Sequence, residues 1–255
     1  MHGMLPTRCI PRPMLSASPL PLKIQQLSVS RQGKQLLDNV NAMIDSAGIT
    51  IILGPNGAGK SLLLHIAHGL EEPDRGSLLW NQHTPKPQEP WRAFVFQKPV
   101  FLQRSVQSNL EYVLSLHKVP KTRQSLLIQQ ALQHTGLMQL SGQSARTLSG
   151  GEQQRLNVAR AWVLEPKVML LDEPTAELDP SGVATIEMLI RKIAQQNTKI
   201  IMTTHSLDQA RRLAHDILFL HRGKLIEHTP AKVYFSQPKT SLAADFLAGK
   251  LLDTH

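Results

Sequence analysis

Gly54-Pro55-Asn56-Gly57-Ala58-Gly59-Lys60-Ser61 gathers three groups that a polyphosphate needs at one place. Glycines allow a tight turn whose backbone N–H groups converge on anionic oxygens. Lys60, in the spacing G-x-x-x-x-G-K-[ST], is expected to reach the β- and γ-phosphates of a nucleotide, and the Ser61 hydroxyl to bind Mg2+. A helix opening at Gly59 and running on through Leu62 adds its positive end. Gly54, Pro55, Asn56, Gly57, Ala58, Gly59, Lys60, Ser61 and Leu62 are therefore the expected ATP contacts. A chance glycine turn has no reason to follow a β-branched apolar run and open an apolar-faced helix. Here Gly48–Leu53 leads in, and Leu62, Leu63, Leu64, Ile66 and Ala67 follow, with Gly69 as a C-terminal cap.

Val168-Met169-Leu170-Leu171-Asp172-Glu173 is an apolar strand ending in two carboxylates. Beside a phosphate loop, Asp172 is expected to serve the metal, directly or through water. Glu173, one residue further, is expected to face the γ-phosphate and polarise the attacking water. Leu148-Ser149-Gly150-Gly151-Glu152 places a hydroxyl and two glycines just before a helix. That arrangement is an ordinary N-cap. It is equally a second phosphate cradle, made by Ser149, Gly150 and Gly151. One ATP does not need two cradles from one chain, so the second is expected to serve a neighbour's nucleotide.

The elements that must carry these groups alternate strand and helix. After the phosphate-loop helix comes a turn-rich stretch from Glu71 to Trp91, then a buried strand at Ala93–Phe96. Helical periodicity covers Ser105–Leu140, with breaks at Pro120 and Gly136. Helix Gly151–Leu164, strand Val168–Leu171, helix Ser181–Gln196, strand Lys199–Thr203 and helix Ser206–Ala214 follow. A strand–turn–strand at Ile217–Ile226 turns on Arg222-Gly223. The pattern predicts an α/β fold with a parallel sheet and a helical subdomain inserted at about residues 98–155.

The 28 Lys and Arg against 19 Asp and Glu give a formal charge of +9, but they are scattered and form no dense basic run with aromatics. A nucleic-acid partner is not expected; an anionic membrane surface or a membrane partner accounts for the charge as well. The single cysteine, Cys9, excludes an intramolecular disulfide and suits a reducing cytosol. No run of eighteen apolar residues is present to span a bilayer. Residues 1–21 carry five prolines, which break any signal-peptide h-region, and are expected to form a loose extension, with Met14 an alternative start.

From Leu22 to Leu252 the chain resembles the ATP-binding subunits of ABC transporters. The landmarks occur in that family's order: the phosphate loop at 54–61, Gln97 after the Phe94–Phe96 strand, the signature at 148–152, the acidic strand end at 168–173, the loop Ala176-Glu177-Leu178-Asp179, and His205 after the Ile200–Thr203 strand. The resemblance implies an ABC ATPase fold, a P-loop NTPase core with an N-terminal antiparallel β subdomain and the inserted helical subdomain. It implies that two copies sandwich two ATP molecules, each bound by one chain's phosphate loop and the other's Ser149 and Gly151. Gln97 would contact Mg2+ or the water, His205 would hydrogen-bond the γ-phosphate, and Asp179 would communicate across the dimer. The family's adenine-stacking aromatic aligns with Arg31, whose guanidinium is the expected substitute.

A single cassette without membrane spans resembles importer subunits, which work at the cytoplasmic face of the membrane with separate permease chains. Phe96–Leu102 with Ser105-Val106, Gln209–Ala214, and the tail Phe246–Leu252 are similar to oxyanion importers, the tungstate type above all. In that reading an extracytoplasmic anion-binding protein selects the substrate, and the chain ends where molybdate- and sugar-type relatives continue into a regulatory domain. The same motifs would also suit phosphate or amino-acid import, lipoprotein release or export, or a soluble ATPase with cytosolic partners.

Overall fold

The computed structural model describes residues 18–86, 89–250 and 252; of the extension expected over residues 1–21, residues 1–17 lie outside them, as does Leu251. Three β-branched or leucine-rich runs, β3 (Ile49–Leu53), β6 (Val168–Asp172) and β7 (Lys199–Thr204), are buried along their whole length. Strands covered on both faces read as continuous apolar runs, and these form the centre of a six-stranded sheet. Its order is β5-β6-β7-β3-β8-β9, with β5 at Arg92–Val95, β8 at Asp216–His221 and β9 at Lys224–Pro230. All pairings are parallel except the terminal β8–β9 hairpin.

Alternation along the central strands divides the core. Ile49, Ile51, Leu53, Met169 and Leu171 pack on one face, while Ile52, Val168 and Leu170 pack on the other. The first face is covered by α5 (Pro180–Gln195), α6 (Leu207–Leu213), α7 (Ala231–Ser236) and α8 (Ser241–Leu247). The second face carries α1 (Lys60–His68) and a three-stranded antiparallel sheet ordered β2-β1-β4. Its strands are β1 (Leu22–Arg31), β2 (Lys34–Ile44) and β4 (Arg75–Trp80).

The strand β4 corrects the reading of residues 71–91 as turns alone. Its local sequence is weak, but Leu78 and Trp80 are buried opposite Ile24 and Leu22 of β1. The Trp80 indole also donates to the Ala67 carbonyl at 2.7 Å, which ties this sheet to α1. Tertiary pairing decides here over local propensity. The buried strand at Ala93–Phe96 ends at Val95, and Phe96 is 48% exposed. Helices α7 and α8 follow β9, where the sequence offered only an unassigned tail.

Between β5 and β6 lie α2 (Val106–Leu116), α3 (Lys121–Thr135) and α4 (Gly150–Trp162), with a core of their own around Leu110, Leu114, Leu132 and Leu156. Helix α4 faces both ways: Leu156 and Ala159 join the helical core, while Val158 and Trp162 join the sheet core. The segment leading into α2 is pinned by side chains on its carbonyls. Asn157 donates to Phe96 at 2.9 Å, Arg160 to Val100 at 2.6 Å, and buried Asn109 to Ser105 at 2.9 Å.

Gly76 marks a close approach of β4 to β1. Its φ is +79°, and a Cβ there would lie 2.3 Å from the carbonyl oxygens of Gln25 and Gln26. Gly76→Ala combines backbone strain with a clash against main chain, so a loss of about 2–4 kcal/mol is expected. Urea unfolding of the variant should show a lowered midpoint at unchanged slope; an unmoved midpoint would contradict this close packing.

Candidate functional site

Parallel strands deliver their carboxyl ends to one edge of the sheet, and the crevice beyond that edge is where α/β folds bind ligands. Register aligns the ends here: Leu53 lies opposite Thr204, and Asp172 opposite Thr203. Because β7 runs between β3 and β6, the phosphate loop, the acidic pair and His205 emerge side by side. The loop, Glu173 and His205 border a cavity of about 770 Å3, lined among others by Asn56, Gly57, Lys60, Ser61 and Gln97.

The loop conformation depends on Gly59, the N-cap of α1, whose φ is +98° and whose Cβ would meet the Leu36 carbonyl oxygen at 2.9 Å. Lys60 is 5% exposed, and its ammonium donates to the carbonyls of Gly54 and Pro55 at 3.0 and 3.1 Å. The same nitrogen lies 3.4 Å from Glu173 Oε1. Glu173 Oε2 is 3.2 Å from His205 Nδ1, so the carboxylate bridges the loop's cation and the imidazole. Its backbone has φ +41°, an uncommon conformation for a non-glycine residue, and its N–H donates to Thr203 Oγ1 at 2.9 Å.

Asp172, 6% exposed, accepts from Ser61 Oγ at 2.8 Å and Thr203 Oγ1 at 2.6 Å, both on Oδ1. Hydroxyl, carboxylate and, from Gln97, amide oxygen are hard donors of the kind Mg2+ takes. Among the described residues there is no cluster of three or more His, Cys, Asp or Glu side chains suited to a metal.

Two expected contacts lie elsewhere. Ser149, Gly150 and Gly151 open α4 in a separate concavity of about 510 Å3, shared with Asp179 and Gly182. Ser149 and Glu152 form a reciprocal capping box there. The Ser149 amide and hydroxyl both donate to the Glu152 carboxylate at 2.8 Å and hold it below its ordinary pKa. Arg31 does not line the main cavity; its guanidinium is paired with Asp74 at 3.0 Å and Glu71 at 3.2 Å. Stacking on adenine would require exchange of these exposed pairs.

A family model described as ABC transporter matches residues 37–176, more than half of the chain. The chain belongs to the ABC transporter family. It is 38% identical over 207 residues to the tungstate uptake system ATP-binding protein of Peptoclostridium acidaminophilum, across 81% of this chain and 97% of that protein. It is 34% identical over 248 residues to a phosphate import ATP-binding protein of Natronomonas pharaonis, across 91% and 87% of the two chains. A methionine import ATP-binding protein of Corynebacterium jeikeium is 31% identical over 239 residues, across 89% of this chain and 65% of that one. The solved structure of cbiO1 from Clostridium perfringens, part of the ABC transporter complex cbiONQ, superposes with a TM-score of 0.76. It is 30% identical, over 85% of this chain and 90% of that one. This ABC transporter subunit therefore binds ATP, is an ATPase and has the ABC ATPase fold.

Sequence reasoning missed Thr203 as a site residue. No local signal marks it: Thr203 and Thr204 both end β7, and only the pairing with β6 sets Thr203 opposite Asp172. The hydroxyl is fully buried and serves both acidic residues, donating to Asp172 and accepting from the Glu173 amide. Thr203→Val keeps the shape and removes both bonds, at a cost of about 1–3 kcal/mol. ATP turnover should fall at least about tenfold if Glu173 loses its placement. Calorimetry and steady-state ATPase assays measure the two effects separately; wild-type turnover would remove Thr203 from the site.

Proposed function

We propose that this chain energises an ABC importer for an oxyanion, tungstate first, by closing as a homodimer over ATP and hydrolysing it with Glu173 as general base. The observation that carries the chemistry is the Glu173 carboxylate held between Lys60 and His205 at the mouth of the phosphate loop. A base must stand within hydrogen-bond reach of the water it activates and beside the group under attack. His205 keeps the carboxylate oriented and offers a ring nitrogen toward the γ-phosphate. Lys60 and the loop amides hold the β- and γ-phosphates, and Gln97 reports their presence to the helical layer. Ser61, Asp172 and Gln97 would hold Mg2+, which supplies charge neutralisation to the phosphate oxygens. Contact of Arg31 with the base requires its release from Glu71 and Asp74; unaltered ATP affinity in Arg31→Ala would remove that contact.

The dimer reading rests on the second cradle. Ser149, Gly150 and Gly151 have donors suited to a phosphate yet open on a different concavity from the loop, so a second copy brings them to the nucleotide. Among the described residues no helix is long and apolar enough to cross a membrane. Passage of an anion thus falls to integral permease subunits, with this chain peripheral at the cytoplasmic face and an extracytoplasmic protein capturing the substrate. Val100, 82% exposed, and Phe96 offer apolar surface to such a permease, and Asn157 and Arg160 link that segment to α4. The substrate class rests on relatives named for tungstate and phosphate, both tetrahedral oxyanions.

Glu173→Gln should bind ATP with near wild-type affinity and elute as an ATP-dependent dimer, while turnover falls by about 10²-fold or more. Full turnover would exclude Glu173 as base. Cells or vesicles carrying the complete system should accumulate tungstate in preference to molybdate, phosphate or methionine, and Lys60→Ala should abolish that uptake. Preference for phosphate or methionine would reassign the substrate. Val100→Asp should leave basal ATPase intact and uncouple it from uptake.

A further inference from the structure

Gln209 is 2% exposed and belongs to neither phosphate loop nor acidic pair, yet it borders the main cavity. It lies one helical turn after His205, in α6, whose first turn is capped by Ser206. Its Nε2 donates to Thr175 Oγ1 at 2.8 Å and approaches Glu187 Oε1 at 3.4 Å. Glu187, 4% exposed on α5, receives a two-pronged contact from Arg212, with Nε at 2.8 Å and Nη2 at 2.7 Å. Arg191 of α5 in turn donates to the Arg212 carbonyl at 2.9 Å. Helices α5 and α6 are thereby joined through a rigid fork, and Gln209 extends the junction to the loop that carries Glu173.

The bland account is a buried glutamine that fills space. Against it, Gln209 Oε1 is buried and has no hydrogen-bond partner among the described residues. An amide kept at the expense of an unsatisfied carbonyl is there for its donor, because an apolar side chain would fill the same space without that cost. The donor is spent on Thr175, two residues beyond Glu173. In the Glu173–Ala176 turn, the Ala176 N–H donates to the Glu173 carbonyl at 3.0 Å while Glu173 holds its positive φ. A turn in that conformation persists only where its surroundings over-determine it. Thr203 restrains it from the β7 side, and Gln209 restrains it from the helix that starts beside His205.

We propose that Gln209 is a positioning residue for the Glu173–His205 pair, acting through Thr175 and anchored by the Glu187–Arg212 fork. This deepens the function proposed above and rests on Glu173 and His205 being the hydrolytic pair. The link fixes the separation of the two strand-end loops, so its loss misplaces the base without touching the phosphate grip. A carboxylate cannot replace the amide, since Gln209→Glu would set a second acid against Glu187.

The test uses the purified full chain, reading kcat and KM for Mg-ATP, binding of a non-hydrolysable ATP analogue, and thermal midpoint. Gln209→Leu and Thr175→Val should each lower kcat roughly tenfold, with KM and analogue affinity within about twofold. The double variant should be no worse than either single one, and Thr175→Ser, which keeps the hydroxyl, should restore turnover. Wild-type kcat in a folded Gln209→Leu, multiplying losses in the double variant, or Thr175→Ser as impaired as Thr175→Val would each overturn the proposal. Should Gln209→Leu fail to fold, the Thr175→Val and Thr175→Ser pair decides alone. Glu173→Gln runs in parallel: if it turns over normally, the hydrolytic reading fails and this proposal with it. If it is inactive while Gln209→Leu and Thr175→Val are normal, only the positioning role fails.

Discussion

Two carboxylates and one ammonium occupy the same nearly dry corner at the carboxyl ends of β3, β6 and β7, and the remainder of the fold serves to keep them there. Lys60 and Asp172 are 5% and 6% exposed. Removing an ion from water costs several kcal/mol even after relaxation, unless charge partners and hydrogen bonds replace the lost hydration. Each group has such replacements. Lys60 has two loop carbonyls and Glu173; Asp172 has the hydroxyls of Ser61 and Thr203; Glu173 has Lys60 and His205. These partners come from three strand ends that are far apart in sequence. A parallel sheet is what brings such ends to one edge, so the site and the sheet topology are a single requirement.

The helical layer adds a mechanical link to this electrostatic one. Helix α4 starts at the Ser149 cradle and carries Asn157 and Arg160, which grip the chain just beyond β5. Gln97 lies inside that gripped segment and also lines the main cavity, where the nucleotide is proposed to bind. Side-chain bonds to main-chain carbonyls join this segment to α4. Apolar residues of the same segment face outward, Val100 most of all. Main cavity, α4 and outer surface thus share one short stretch of backbone.

The elements meant to carry the chemistry were legible where they are written in consecutive residues. Gly54–Ser61 and Val168–Glu173 each put the functional group and the element that aims it into one short run, and the structure has strand, loop and helix where those runs require them. Groups defined by pairing were not legible. Nothing local distinguishes Thr203 or Gln209 from other polar residues at an element's end; their partners lie 31 and 34 residues away. The strand β4 escaped for the same reason, since Trp80 and Leu78 acquire strand character only against β1. Arg31 shows the converse limit: alignment carries no information on Glu71 and Asp74, which hold its guanidinium at the end of β1.

The separation of the two cradles has an electrostatic consequence for how the proposed dimer closes. The Ser149 N–H and hydroxyl, the donors a γ-phosphate would use, are already given to the Glu152 carboxylate. An arriving phosphate must displace that carboxylate from the same donors and tolerate its charge nearby. The capping box therefore opposes closure in proportion to how well it caps the helix, typically about 1 kcal/mol for an exposed cap. That is small beside the gain from charge-assisted bonds to phosphate at a helix N-terminus, yet it favours the separated chains whenever the γ-phosphate is gone. In the proposed dimer, a cradle satisfied internally rather than left open would make association conditional on nucleotide, the property a cyclic ATP-driven clamp needs.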